Sequence, residues 1–125
     1  MNLSPNLTLD DFTFSLTAQK NRIDNSLPPQ LLENAREYAL RCYEFVVKVW
    51  GGQPRKLNSG YRCPKLNGLV GGSPTSQHMS ANAGDYALRP GENIYSLFLK
   101  LLESDIPYDQ LMRTLAKYLS RKTPP

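Results

Sequence analysis

The sequence predicts an α+β fold, in which helices pack on a small, mostly antiparallel sheet. Three segments carry apolar residues at three- and four-residue steps, which is typical of amphipathic helices, and two short segments between turn residues have the pattern of strands. The chain has 125 residues, of which 40% are hydrophobic, and this is enough for one core. We therefore predict a single domain spanning residues 1–125.

The first half of the chain is predicted to be mainly helical. Thr8 precedes Asp10 and Asp11, and a hydroxyl followed by acids marks a helix start, because the side chain caps free amides and the acids favour the positive end of the helix dipole. A short helix is therefore expected within residues 7–21. A longer helix is expected at residues 30–50, where the apolar stripe consists of Leu32, Ala35, Ala39, Cys42, Val46 and Val49.

The second half is predicted to contain both strands. Residues 56–61 are short and rich in turn formers, which indicates a brief strand leading Arg62 into a loop. Residues 83–88 alternate as a strand does, with Asp85 on the face opposite Tyr86. The remaining predicted elements are a short helix at 64–70, a loop at 73–82, and helices at 93–104 and 111–119.

The positive charge of the chain is concentrated at its C-terminal end. The net charge is +4, from 15 basic and 11 acidic residues, and the residues after 112 include four basic residues and no acidic one: Arg113, Lys117, Arg121 and Lys122. A nucleic-acid-binding protein would spread basic residues over a face and interleave aromatic ones, so nucleic acid is not an expected partner. The basic face of the C-terminal helix is either a solvated surface or a docking surface for an acidic partner or an anionic polymer.

Two classes of protein are disfavoured by the sequence. No apolar run reaches the roughly 18–20 residues of a membrane helix, and the N-terminus lacks a secretory signal, so no membrane partner and a cytoplasmic site of synthesis are expected. The two cysteines allow at most one disulfide, unlike a stapled secreted domain. Cys42 lies on a helical stripe and is expected to be a buried apolar group, while Cys63 is a loop thiol beside Arg62.

His78 is the only histidine in the chain, and Asp85 follows it by seven residues. Zinc binds imidazole nitrogen and carboxylate oxygen, and a catalytic site normally has three protein ligands. The pair therefore supplies two of three ligands if the loop after His78 turns back, which the small residues Ala81, Ala83 and Gly84 permit. Taken alone, this spacing favours an ordinary loop histidine beside an ordinary carboxylate over a pair of metal ligands.

Several motifs together resemble one known family. The run SQHMSANAGD at residues 76–85 resembles the S-x-H-x-x-G-x-A-x-D signature of the zinc D-Ala-D-Ala carboxypeptidase family, which includes cell-wall carboxypeptidases, vancomycin-resistance dipeptidases and phage endolysins. Residues 59–72 resemble the S-G-Y-R-x-P-x-L-N-x-x-V-G-G run of its small single-domain branch. Phe12-Thr13, Asp24-Asn25 before Pro28-Pro29, and Asp109-Gln110-Leu111 also match, so the resemblance covers residues 8 to 112.

The resemblance implies a zinc metallopeptidase, a hydrolase that cuts the stem peptide of peptidoglycan by means of metal-activated water. His78 and Asp85 match the first two zinc-ligand positions of the family. A protein of this kind, made without a signal peptide, would act on the cell wall after release from the cell or as part of a phage particle.

The resemblance also implies roles for four residues around the metal. Arg62 matches the arginine that holds the substrate carboxylate or polarises the scissile carbonyl, a role suited to a planar, permanently charged guanidinium. Ser76, Gln77 and Tyr61 match positions that line the substrate pocket, where Ser76 would bond the substrate or a group behind the ligands.

The sequence departs from the family pattern at two places. The glycine that follows the first histidine in the family is Ala81 here, which matters if the position needs a positive φ. Beyond Asp109-Gln110-Leu111, family members continue into an acidic general base and a strand carrying the third ligand, a histidine, whereas this chain has a predicted basic helix. The candidates to replace those carboxylate and ligand functions are Glu103, Asp105 and Asp109.

Three hypotheses follow for the function. The first is a zinc-dependent peptidoglycan peptidase, of carboxypeptidase or endopeptidase type. The second is a non-catalytic relative that serves as a structural, virion or cell-wall-binding module, which the missing second histidine favours. The third is a thiol enzyme at Cys63.

Overall fold

A computed structural model describes residues 1–105 of the chain. Its described part consists of helical segments and two antiparallel two-stranded sheets, which confirms the α+β class. The predicted helix at 111–119 and the basic segment at 113–125 lie outside the described residues. Among residues 1–105, no helix is long and apolar enough to cross a membrane.

A hairpin that the sequence did not predict opens the chain. Strand β1 (Asn2–Ser4) pairs antiparallel with β2 (Leu7–Thr8). The carboxylate of Glu44, almost forty residues away, accepts hydrogen bonds from Ser4 Oγ at 2.6 Å, Asn6 N at 2.8 Å and Asn6 Nδ2 at 2.6 Å. The turn is therefore held by a distant helix, which explains why local sequence gave no sign of it.

The predicted N-terminal helix is divided into α1 (Leu9–Thr13) and α2 (Leu16–Lys20). Thr8 caps α1 as predicted, since its hydroxyl accepts from Asp11 N at 3.0 Å. Ser15 caps α2 in the same way through Ala18 N at 3.1 Å. The second cap explains the division, because it starts a new helix where the prediction continued the first.

The long helix is present as predicted, with a change of winding in its middle. It runs through a 3₁₀ turn (Pro29–Leu31), α3 (Leu32–Tyr38), a π-helical segment (Ala39–Tyr43) and α4 (Glu44–Val49). Its apolar stripe forms the centre of the core, and Cys42 is buried there and forms no disulfide in the described chain.

The second sheet and two helices complete the described fold. Strand β3 (Leu57–Ser59) pairs antiparallel with β4 (Asp85–Tyr86), α5 (Pro64–Leu69) lies between them in sequence, and α6 (Ile94–Glu103) follows. Trp50 joins α4, β4 and α6. It directly follows α4, its ring meets that of Tyr86 in β4 edge to face at 5.5 Å, and its Nε1 donates to Leu97 O in α6 at 2.8 Å.

A buried arginine locks the start of β3 to the turn before α6. The Arg55 guanidinium donates to both carboxylate oxygens of Glu92 at 2.7 Å and to Ala87 O at 3.0 Å, and it lies 5.2 Å from the centre of the Trp50 ring. The hydrogen bonds from Arg55 hold the pKa of Glu92 at about 2. This network fixes the end of the sheet opposite to the candidate site.

Candidate functional site

The β3–β4 pairing and one loop bring His78 and Asp85 together. In the antiparallel register Ser59 lies opposite Asp85, so the strand that precedes Gly60 runs beside the strand that carries the carboxylate. The loop between α5 and β4 folds back onto the end of β3, where Arg62 N donates to His78 O at 3.1 Å. Two residues that are seven apart in sequence thereby meet across the end of a sheet.

The His78 ring is held by one hydrogen bond and faces a carboxylate with its other nitrogen. Nδ1 lies 2.5 Å from Gly60 O, and Nε2 lies 3.5 Å from Asp85 Oδ2. His78 is 2% exposed and Asp85 is 8% exposed. Since a carbonyl oxygen only accepts hydrogen bonds, Nδ1 carries the proton, and the lone pair of the neutral ring is on Nε2.

This arrangement fits two ligands of a zinc ion. A metal-binding histidine usually donates its other ring N–H to a carbonyl or carboxylate, as His78 does to Gly60. Within residues 1–105, His78 Nε2 is buried without a hydrogen-bond partner. Two donors bound at ~2.1 Å to one tetrahedral ion lie roughly 3.4 Å apart, close to the distance between Nε2 and Asp85 Oδ2 and longer than an ordinary hydrogen bond.

The described residues provide two ligands and no third. Within residues 1–105, no three histidine, cysteine, aspartate or glutamate side chains lie close enough to hold one metal ion. Glu103 and Asp105, which the sequence offered as substitutes, are exposed on and after α6 and join no such group. Asp109, the third substitute, lies outside the described residues.

The segment that carries Tyr61 and Arg62 lies directly against His78. Arg62 is half-buried and its backbone is bonded to that of His78. Tyr61 is 3% exposed and belongs to the core, where burial raises the pKa of its phenol. The structure thus brings Arg62 to the predicted site, and it places the Tyr61 ring largely away from solvent; the substrate-binding role of Tyr61 stays a prediction.

Ser76 and Gln77 lie on the turn that leads into His78. Ser76 is half-buried, and its Oγ accepts a hydrogen bond from His78 N at 3.2 Å. Gln77 is exposed, and its backbone oxygen accepts from Ser80 N and Asn82 N. Ser76 therefore shapes the loop behind the histidine, and both predicted substrate contacts stay predictions.

Ala81 has the positive φ for which the family pattern has glycine. Its φ is +62°, and its methyl group is fully buried in the core. An alanine in this conformation costs roughly 1–2 kcal/mol, which the packing of the methyl group partly offsets. The fold therefore accepts alanine in place of glycine at residue 81, at the cost of backbone strain.

A pair of alanine-to-glycine substitutions tests this strain. Ala39 is equally buried but lies inside the long helical run, where glycine loses about 1 kcal/mol of helix propensity. Each substitution is expected to lower the free energy of unfolding. The loss caused by Ala81→Gly should be smaller than that caused by Ala39→Gly by at least ~1 kcal/mol, because glycine relieves the strain at residue 81. Urea unfolding of both variants measures the difference, and equal losses would show that residue 81 is unstrained.

One component of the site is a backbone atom that sequence reasoning missed. Gly60 O is the acceptor that orients His78, and no side-chain pattern marks a carbonyl oxygen. The available signal was the glycine itself, because a Cβ at residue 60 would overlap the carbonyl oxygen and ring of Phe12. Glycine is needed there for close approach of two backbone segments.

Cys63 occupies a structural position beside the site. It is half-buried and caps α5, with its Sγ accepting from Leu66 N at 3.5 Å. The capping contact gives Cys63 a structural role that needs no nucleophilic thiol. It therefore does not support the thiol-enzyme hypothesis.

Comparison with known proteins agrees with the α+β fold and identifies the family. A model of the family described as Peptidase M15 matches residues 5–118, which is nearly the whole chain. The chain belongs to this peptidase family, whose members are zinc D-Ala-D-Ala carboxypeptidase-like and typically zinc-dependent. Searches of curated proteins and of solved structures found no match.

Proposed function

We propose that this chain is a zinc-dependent peptidase that hydrolyses peptide bonds in the stem peptides of peptidoglycan. The observation that carries the proposal is the His78 ring: Nδ1 is fixed by Gly60 O, while buried Nε2 faces Asp85 Oδ2 at 3.5 Å. A buried ring nitrogen that makes no hydrogen bond costs free energy, and a bound metal ion would satisfy it. Membership of a peptidase family supports the same conclusion.

His78 and Asp85 are the proposed protein ligands, and each has a defined task. Bound zinc supplies Lewis-acid activation of water and of the scissile carbonyl. The Gly60 carbonyl keeps the His78 lone pair on Nε2, and the pairing of β4 with β3 holds Asp85 beside it. Arg62 is the proposed partner of the substrate carboxylate, because its guanidinium can bind both carboxylate oxygens.

The sequence leaves one carboxylate as the proposed third donor. His78 is the only histidine, and Asp109 is the only residue of the usual zinc-binding types after residue 105. Residues 1–105 contain no three-donor group, and we propose Asp109 as the third ligand. This assignment concerns the identity of the residue and is tested by substitution.

Metal analysis of freshly purified protein tests the proposal. We expect about one zinc ion per chain in the wild type and nearly complete loss in His78→Ala and Asp85→Ala, because each removes one of about three protein ligands. Asp109→Asn should lose zinc as well. The matched control is Asp105→Asn, an exposed carboxylate that joins no metal-binding group in the described chain and should keep its zinc.

Digestion of peptidoglycan completes the test. The zinc-loaded wild type should release D-alanine or cleaved stem peptides, and His78→Ala should release neither. A wild-type protein that holds no zinc and leaves peptidoglycan intact would overturn the proposal in favour of a non-catalytic relative. Zinc retention in Asp109→Asn would exclude only that residue as the third ligand.

A further inference from the structure

A buried asparagine side chain brackets the backbone of Arg62. Asn25 Nδ2 donates to Tyr61 O at 3.0 Å, and Asn25 Oδ1 accepts from Cys63 N at 2.8 Å. The same Nδ2 donates to Thr13 O at 2.8 Å. Because Asn25 is 8% exposed, little water is present to replace these bonds if they are lost. One side chain therefore fixes the peptide groups on both sides of Arg62.

The pattern of these bonds imitates strand pairing. In an extended chain, the carbonyl before a residue and the amide after it point to the same side, which is where a neighbouring strand would bind them. Cys63 has the extended dihedral angles φ −64° and ψ 159°. On the opposite side, Arg62 N donates to His78 O at 3.1 Å. The Arg62 backbone is thus held by Asn25 from one side and by the histidine loop from the other.

We propose that Asn25 is a positioning residue that sets the direction in which Arg62 projects toward the carboxylate of the substrate. An arginine side chain has many rotamers, so its aim depends on a fixed backbone from which to project. The role in substrate binding rests on the proposed function, whereas the ordering of Arg62 by Asn25 does not. A small displacement of a positioned group costs up to about a hundredfold in rate, so loss of the bracket should be measurable.

A double-mutant cycle separates positioning from a general loss of stability. The probe is a peptide that ends in D-Ala-D-Ala with a free carboxylate, and its affinity is measured by calorimetry on the zinc-loaded protein. We expect Asn25→Ala to weaken binding about tenfold in the wild type and less than about twofold in an Arg62→Ala background, because the effect acts through Arg62. A loss of equal size in both backgrounds would overturn the proposal.

The matched control is a second buried asparagine whose side chain bonds elsewhere. Asn67 is 3% exposed, and its Nδ2 donates to Ser73 O at 2.9 Å, away from the Tyr61–Cys63 segment. Asn67→Ala should also destabilise the protein but leave the peptide affinity within about twofold of wild type. The same loss of affinity in both asparagine variants would mean that Asn25 acts through stability alone.

A measurement that needs neither zinc nor substrate tests the positioning role of Asn25 separately from the proposed peptidase function. Nitrogen-15 relaxation of the Arg62 side-chain Nε–H should report less order in Asn25→Ala than in the wild type or Asn67→Ala. If Asn25→Ala does not fold, Asn25→Asp replaces it, since it keeps the acceptor for Cys63 N and loses the donor to Tyr61 O. Unchanged order at Arg62 would overturn the positioning role, even in a protein that proves to have no peptidase activity.

Discussion

Replacing Gly60 with alanine is expected to destabilise the protein by about 3 kcal/mol or more and to weaken zinc binding. A Cβ at this position would overlap both the carbonyl oxygen and the ring of Phe12, so the backbone has to move. The movement breaks the bond from Tyr61 N to Phe12 O at 2.8 Å. Overpacking typically costs about 1–3 kcal/mol, and each buried polar group left unpaired adds about 1–3 kcal/mol.

The effect on zinc follows from the Gly60 carbonyl, which orients the His78 ring. Loss of such an outer contact typically lowers metal affinity about 10–100-fold. The matched control is Gly68→Ala, because Gly68 lies inside α5 with no atom near its would-be Cβ, and alanine there should stabilise by about 0.5–1 kcal/mol. Urea unfolding and zinc titration measure both quantities. Equal urea midpoints for Gly60→Ala and the wild type would contradict the prediction.

The helices were largely predictable because their signals are local. The apolar stripe of residues 30–50 and the capping hydroxyl of Thr8 lie within the elements that they define. The same holds for α6, which is capped by Asn93 through Tyr95 N at 2.8 Å and which the sequence predicted within one residue at each end. In each case the physical cause is contained in one or two turns of chain.

The β1–β2 hairpin was not predictable, because the groups that hold it are far apart in sequence. Glu44 closes the turn from 38 to 40 residues away in sequence. Nothing in the local sequence around Ser4 or Asn6 indicates that Glu44 is their partner. The Arg55–Glu92 pair is similar, since a bidentate contact across 37 residues depends on the tertiary fold.

The candidate site was predicted in part, and the missing part is backbone geometry. The motif at residues 76–85 paired His78 with Asp85, and the structure brings them to 3.5 Å. The sequence did not indicate that the Gly60 carbonyl orients the ring or that Asn25 brackets Arg62. Both depend on which peptide groups point toward one another, and this is decided only when β3, β4 and the histidine loop are assembled.

The other large expected effect comes from a single oxygen atom at the opposite end of the sheet. The Tyr43 hydroxyl donates to Arg55 O at 2.6 Å and accepts from Arg55 N at 2.9 Å. Tyr43 is 1% exposed, and burial raises the pKa of its phenol, so the hydroxyl keeps its proton at neutral pH. The backbone N–H and C=O of buried Arg55, which lies just before β3, are therefore both bonded to the Tyr43 side chain.

Tyr43→Phe is expected to destabilise the protein by about 2–4 kcal/mol, because it removes two buried hydrogen bonds at once. The matched control is Tyr61→Phe, another buried tyrosine, for whose hydroxyl the described chain offers no hydrogen-bond partner, and its loss should stay below ~1 kcal/mol. Urea unfolding compares the two variants.

Tyr43→Phe should also loosen the β3–β4 register, because Arg55 leads into the strand that pairs with Asp85. Amide exchange at Ala87 N, which is bonded to Lys56 O at 2.9 Å, would report this loosening. Equal stability of the two phenylalanine variants would show that the Arg55 backbone finds other partners, and that the sheet end does not depend on this hydroxyl.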